Sequence, residues 1–249
     1  MIELTWRDGR NPHRGLYYVY VEEIQLKIFP ISKWIFIVPV MYLTGFFLGR
    51  STRMIEKYME RNEKISISQV DILEFFNFYK EIAKYQYLYT LENNLKIKLA
   101  FNESNFPHLL GLHKFKIVSK YRKQSDIIEA IKNKSLNIKN LKSSEANVLI
   151  NIKDRLGYFP CLNFLLNNVE KVIEFDSTKC IPTKLDATFL LNTSKISVSI
   201  YLAIKSIKNN EYNCVPVSFF VDRINQYQIN KQKEYKVIEF QKIFIDIWF

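Results

Sequence analysis

From Lys171 onward the chain is a succession of short apolar runs that suit strands and little else: VIEF (172–175), ATFLL (187–191), ISVSIYLAI (196–204), CVPVSFFV (214–221) and YKVIEFQKIFI (235–245). Asn-, Lys- and Ser-rich turns join them. A parallel crossover takes a dozen or more residues and usually a helix, so spacing this close predicts an antiparallel sheet.

Upstream, the apolar spacing is helical. Ser68 to Tyr85 opens on a cap-like serine and repeats apolar residues at amphipathic intervals, and Ser125–Lys134 and Ser144–Leu156 do the same. Gly157-Tyr158-Phe159-Pro160 breaks that pattern before a short apolar helix at Leu162–Asn167. Between them, Tyr87–Leu91 and the alternating Leu95–Phe101 flank Glu92-Asn93-Asn94 and read as a β-hairpin. The expected fold is therefore α+β, with N-terminal helices and a hairpin followed by a C-terminal antiparallel β-sheet.

One segment stands apart by composition. Asn105 to Lys114 holds two of the chain's three histidines, and Gly111 is one of its six glycines. A glycine inside an apolar run, soon after a histidine, marks a sharp turn or a close approach of another group. Pro107 suits an early helical position with Asn102 or Ser104 as cap. His108 has the side chain whose ordinary titration range suits proton transfer near neutrality. It reads either as a catalytic acid or base or as a packed, structural imidazole.

The first sixty residues differ from the rest. They carry all four methionines and four of the six glycines, and arginine outnumbers lysine before Lys64, whereas afterwards arginine occurs only as Arg122, Arg155 and Arg223. Trp34–Gly49 is uncharged and apolar, but it falls short of the roughly 20 residues a spanning helix needs, and Pro39 and Gly45 interrupt it. Residues 1–60 are thus expected to be an extension, as an upstream mis-start, a packed apolar helix or a weak membrane anchor over 31–49. Residues 61–249 form the functional domain.

The net charge of +11 favours polyanionic partners: RNA or another nucleic acid, an anionic membrane surface, or an acidic inhibitor protein. Cys161, Cys180 and Cys214 are odd in number and widely spaced, which predicts neither a disulfide framework nor a zinc site and suits a reducing, cytoplasmic setting. No P-loop, GxGxxG, GxSxG or HExxH motif occurs. His108 and His113, five apart, would point about 140° from each other on a continuous helix, which is poor for sharing a metal. No cofactor is expected.

What remains is His, Lys, Ser, Thr and Tyr on a basic surface. That palette fits a metal-independent endoribonuclease, which needs a base for the 2′-hydroxyl, a cation for the phosphorane and an acid for the departing 5′-oxygen. The alternatives are a non-catalytic nucleic-acid-binding module and a membrane-associated protein.

FPHLLGLHK (106–114), SIYLAIK (199–205) and YNCVPVSFF (212–220) together resemble the phage-associated branch of the Barnase/EndoU/colicin/RelE-like (BECR) nuclease superfamily, over about residues 65–245. The resemblance implies leading helices, a four- or five-stranded antiparallel sheet whose face holds the active site, and a toxin or effector acting on RNA. It touches His108, Gly111, Lys114, Tyr201, Lys205, Pro216 and Ser218. In that reading His108 is the general base or acid, Lys205 stabilises the phosphorane, and Ser218 hydrogen-bonds a phosphate oxygen. Lys114 and His113 position phosphate, Tyr201 and Tyr212 bind substrate, and Gly111 and Pro216 are structural.

Overall fold

A computed structural model describes residues 56–207 and 212–245, all within the unit Phe46–Phe249. The apolar run at 31–49, and the expected extension as far as residue 55, lie outside the described residues. Among the described residues no helix is long and apolar enough to cross a membrane.

Helix α1 (Ile72–Ala83) starts at Asp71, whose carboxylate accepts from the N–H groups of Leu73 (2.8 Å) and Glu74 (3.2 Å). The expected cap at Ser68 is three residues early, because Ser66 to Gln69 close a separate 3-10 turn. One face of α1 buries Ile72, Phe75, Phe76, Phe78, Tyr79 and Ile82 at helical spacing. Strands β1 (Tyr85–Leu91) and β2 (Lys96–Leu99) form the expected hairpin.

Short helices follow: α2 (Phe106–Leu110), α3 (Lys116–Ser119), α4 (Gln124–Lys132), α5 (Ile138–Ser144), α6 (Ala146–Tyr158) and α7 (Leu162–Asn167). The break expected over 157–160 is found, since α6 ends at Tyr158 and a 3-10 turn, Phe159–Cys161, leads into α7 at Leu162. Gly157 itself is still helical. It lies inside α6, where a Cβ would come within 2.8 Å of the Lys64 side chain and 3.0 Å of the Ile65 carbonyl. The glycine serves close packing rather than a break.

The sheet adds β3 (Lys171–Glu174), β4 (Phe189–Asn192), β5 (Ile200–Ser206), β6 (Tyr212–Val221) and β7 (Lys233–Phe244). Strand order β1-β2-β6-β5-β4-β3-β7 closes on itself, since β7 pairs with β3 through Lys233–Lys236 and with β1 through Val237–Phe244. Besides this closure, and seven strands where four or five were implied, two features differ from the expected architecture. The hairpin is part of the sheet rather than a separate element, and β2 pairs with β6 in parallel, Ile97 opposite Tyr212 and Leu99 opposite Cys214. The spacing argument holds between sequence neighbours; β2 and β6 are separated by α2–α7 and β3–β5, ample chain for a crossover.

The two faces of the sheet carry different loads. Tyr87, Tyr89, Leu99, Leu202, Ile204 and Phe219 point into the large core shared with the helices. Ile173, Leu190, Tyr201, Ala203 and Phe220 form a second, smaller apolar cluster on the other face. Register shifts between Ala203 and Ile204, so that Ser218 faces Ala203 while Pro216 faces Ile204. Proline, with no N–H to give, is tolerated beside such an irregularity.

Candidate active site

The histidine segment is anchored by Phe106. Its ring is fully buried, with centroids 5.2 Å from Phe76, 5.4 Å from Tyr79 and 5.7 Å from Phe159. Burial of such a ring stabilises by roughly 2–3 kcal/mol, enough to fix a helix of five residues that could not persist alone. Just upstream, the Tyr79 phenol donates to the Asn102 carbonyl (2.8 Å), and the Asn102 side chain accepts from the Ser104 N–H (2.9 Å). The chain thus enters α2 along a fixed path with His108 outward.

Gly111 ends α2 in the left-handed region (φ 77°), its N–H donating to the His108 carbonyl at 3.0 Å. The position is doubly restrictive, because a Cβ there would also stand 3.0 Å from Arg155 Nη1. The reversal turns Leu112–Lys114 into a 3-10 turn and swings His113 back beside His108, with ring centroids 4.8 Å apart and planes tilted by 39°. The expected divergence of the two rings is therefore corrected: it assumed a continuous helix, and Gly111 interrupts it.

Two residues that sequence reasoning passed over complete the cluster. Gln124, the first residue of α4, places its amide nitrogen 3.3 Å from His108 Nε2. The amide thus holds the His108 ring through Nε2, the direction of the bond following the imidazole tautomer. The amide oxygen of Gln124 is buried and unpaired among the described residues. Arg155 of α6 donates from Nη1 to the His108 carbonyl at 3.3 Å. Among the described residues no carboxylate pairs with it, and burial pulls its guanidinium down to about 10.

The adjacent carboxylate is engaged elsewhere. Asp154 binds Arg223 and Lys64, each at 2.6 Å, and is held down to about 2, first by the Arg223 hydrogen bond. Partial burial, then His108, Arg155 and Lys114, lower His113 to about 4. Burial and Arg155 also lower Lys114. The groups acting on His113 are thus cationic or become so on protonation.

The structure brings His108, Gly111, His113 and Lys114 together. It places the remaining sequence candidates on the sheet. Tyr201, Lys205 and Ser218 share the face of the smaller cluster. Tyr201 is buried there against Phe220, which raises its phenol. The exposed Lys205 ammonium is paired with Asp186. Tyr212 opposes Ile97 in β6, and its side chain is outside what is described. Pro216 is buried beside the register shift.

Tyr227 connects the two regions. Its ring lies 4.5 Å from Phe220, and its phenol acts electrostatically on Arg155. Asp222 accepts from the Tyr227 N–H (3.3 Å), while the Gln232 side chain clasps the Tyr227 carbonyl (3.3 Å) and Asp176. Arg155 was recoverable in the sequence by the same scarcity that exposed the histidines, being one of three arginines after Lys64. Gln124 and Tyr227 carry no comparable signal. Among the described residues no group of three or more His, Cys, Asp or Glu is placed to hold a metal ion.

A family model described as phage-Barnase-EndoU-ColicinE5/D-RelE like nuclease matches residues 71–242. The chain belongs to that family. The phage BECR match spans the helices, the histidine segment and nearly all of the sheet, and starts at the Asp71 cap of α1. No curated protein and no solved structure matches the chain. The BECR assignment makes this a protein of nuclease type, with mixed α and β structure as the resemblance implied.

Proposed function

We propose that this phage BECR family member is a metal-independent endoribonuclease, toxin- or effector-like, that leaves 2′,3′-cyclic phosphate ends. The observation that carries the reading is the pairing of His108 and His113 at 4.8 Å beside Arg155 and Lys114. His108 takes the 2′-hydroxyl proton, its ring positioned by the contact with Gln124. The O2′–P bond forms as the P–O5′ bond breaks, and a proton returns to O5′ from the second imidazole, His113. Lys114 offsets charge on the phosphorane. Ser218, Tyr201 and Tyr212 belong in this reading to the path of the flanking RNA, with Lys205 on the same sheet face.

The test is incubation of the full chain and of His108→Ala with total RNA in EDTA, followed by end analysis. Cyclic phosphate ends that vanish in the folded variant are expected. Binding without cleavage by the wild-type chain would replace the enzyme with a nucleic-acid-binding module.

A further inference from the structure

Among the described residues no carboxylate pairs with the guanidinium of Arg155. It sits half-buried on α6, and its described hydrogen bond is to a backbone carbonyl, that of His108. Burying a charge without a partner is costly, and chains ordinarily satisfy it with a carboxylate. Here the carboxylate one residue earlier, Asp154, is turned to Lys64 and Arg223 instead. The guanidinium lies close against Gly111, where a Cβ would stand 3.0 Å from Nη1. Lys114 and His113 lie on the turn that Gly111 creates, with Lys114 close enough to feel Arg155.

From this geometry we infer that Arg155, Lys114 and His113 form a receptor for a phosphate oxyanion, with Arg155 as its anchoring group. The guanidinium offers a rigid fork of donors suited to two phosphate oxygens, and the ammonium adds a mobile point charge. The inference rests on the ribonuclease reading only for the identity of the natural anion, which would be the scissile phosphate. Inorganic phosphate presents the same chemistry.

A consequence follows for the proton inventory. His113 is neutral near pH 7 in the free protein, because partial burial, His108, Arg155 and Lys114 all oppose its charge. An anion seated on Arg155 and Lys114, the single charge of a phosphodiester or the larger charge of inorganic phosphate, offsets the last two of these influences and adds an attraction. His113 then takes up a proton when the anion arrives. The acid that the departing 5′-oxygen requires is charged by substrate binding, while His108 stays held by Gln124 on the other side of the pair.

The experiment is an imidazole NMR titration of the full chain in inorganic phosphate and, at matched ionic strength, in chloride. Phosphate is expected to raise the midpoint of His113 by about one unit or more, with chloride leaving it near its starting value. In calorimetry, phosphate binding should be accompanied by proton uptake. Arg155→Gln should weaken phosphate roughly tenfold or more, with Arg155→Lys intermediate, at unchanged circular dichroism. If Arg155→Gln does not fold, Lys114→Gln carries the test and should weaken phosphate several-fold.

A His113 midpoint that ignores phosphate, or moves equally in chloride, overturns the receptor. So does unchanged phosphate affinity in a folded Arg155→Gln protein. RNA cleavage by a chain that fails these tests leaves the ribonuclease reading standing and removes only the anion site. Phosphate binding with the expected proton uptake, in a chain that leaves RNA intact, does the reverse.

Discussion

The histidine turn and the sheet face of Tyr201, Lys205 and Ser218 were both candidates in the sequence, the turn the more specific of the two, and they differ in how their polar groups are satisfied. On the sheet face Lys205 has Asp186, Tyr201 is packed among apolar neighbours, and Ser218 stands opposite Ala203. Around the turn, His108 and His113 face each other, and Arg155 has no carboxylate among the described residues. A chain that pairs its charges in one place and leaves them opposed in another has kept free energy in reserve at the second. Such reserves are where a ligand or a reaction is expected to act.

The widest separation between the two regions should come from deletion of imidazole. His108→Ala is expected to lower cleavage about 10²- to 10⁴-fold, the usual contribution of a positioned acid or base. Because His108 is exposed, its melting temperature should stay close to that of the wild type. Tyr201→Phe, on the sheet face, should leave cleavage within a few-fold. Matched losses at both positions would erase the distinction.

Next in size is Gly111→Ala. A methyl group at φ 77° costs roughly 1–2 kcal/mol of backbone strain, and the contact with Arg155 at 3.0 Å forces the guanidinium to shift. Cleavage should fall by more than stability alone explains, read as activity under conditions where denaturation curves show the variant still folded. A variant that loses stability but keeps full activity per folded molecule would reduce Gly111 to a helix terminator.

Much of the fold was legible because it depends on local pattern. Strand alternation, the hairpin and the amphipathic face of α1 all repeat over several residues, and each appears close to its expected place. The ring closure by β7 and the parallel β2–β6 pair were not legible, since pairing between distant segments leaves no periodic trace. The site divides in the same way. His108, Gly111, His113 and Lys114 sit on one turn and could be read together, but Arg155, Gln124 and Tyr227 reach it from other elements. Even within the turn, five-residue spacing misled about the rings, because a single left-handed residue redirects the chain.

A smaller effect separates the regions by pH. His113, lowered to about 4 from an ordinary 6.5, is harder to protonate in the fold than in the unfolded chain. Between those values the unfolded state binds more protons, so this residue withdraws stability as pH falls from about 6.5 to 4. His113→Asn should flatten that part of a melting-temperature profile. Asp154, held to about 2, acts in a lower window: it contributes stability above its ordinary value near 3.8 and loses it as pH falls towards 2. A profile unchanged by His113→Asn between pH 4 and 6.5 would mean the ring is solvated normally and the cluster less opposed than its geometry implies.

The smallest effect is expected at Lys205. Its ion pair with Asp186 is exposed on both sides, and such pairs contribute about 0–1 kcal/mol, so Lys205→Ala should barely move the melting temperature. Its effect on cleavage discriminates more sharply. A cation that stabilises a phosphorane is worth about 10²-fold or more, whereas an ammonium already neutralised by a carboxylate contributes mainly to general attraction of RNA. Lys205→Ala should therefore reduce cleavage only a few-fold, by an amount that shrinks as salt is raised. Asp186→Asn, which removes the counter-charge, should increase RNA affinity slightly without changing the rate at saturating RNA. A hundredfold, salt-independent loss in Lys205→Ala would move the reaction centre onto the sheet face, and the opposed charges around Gly111 would then have to be read as a binding subsite beside it.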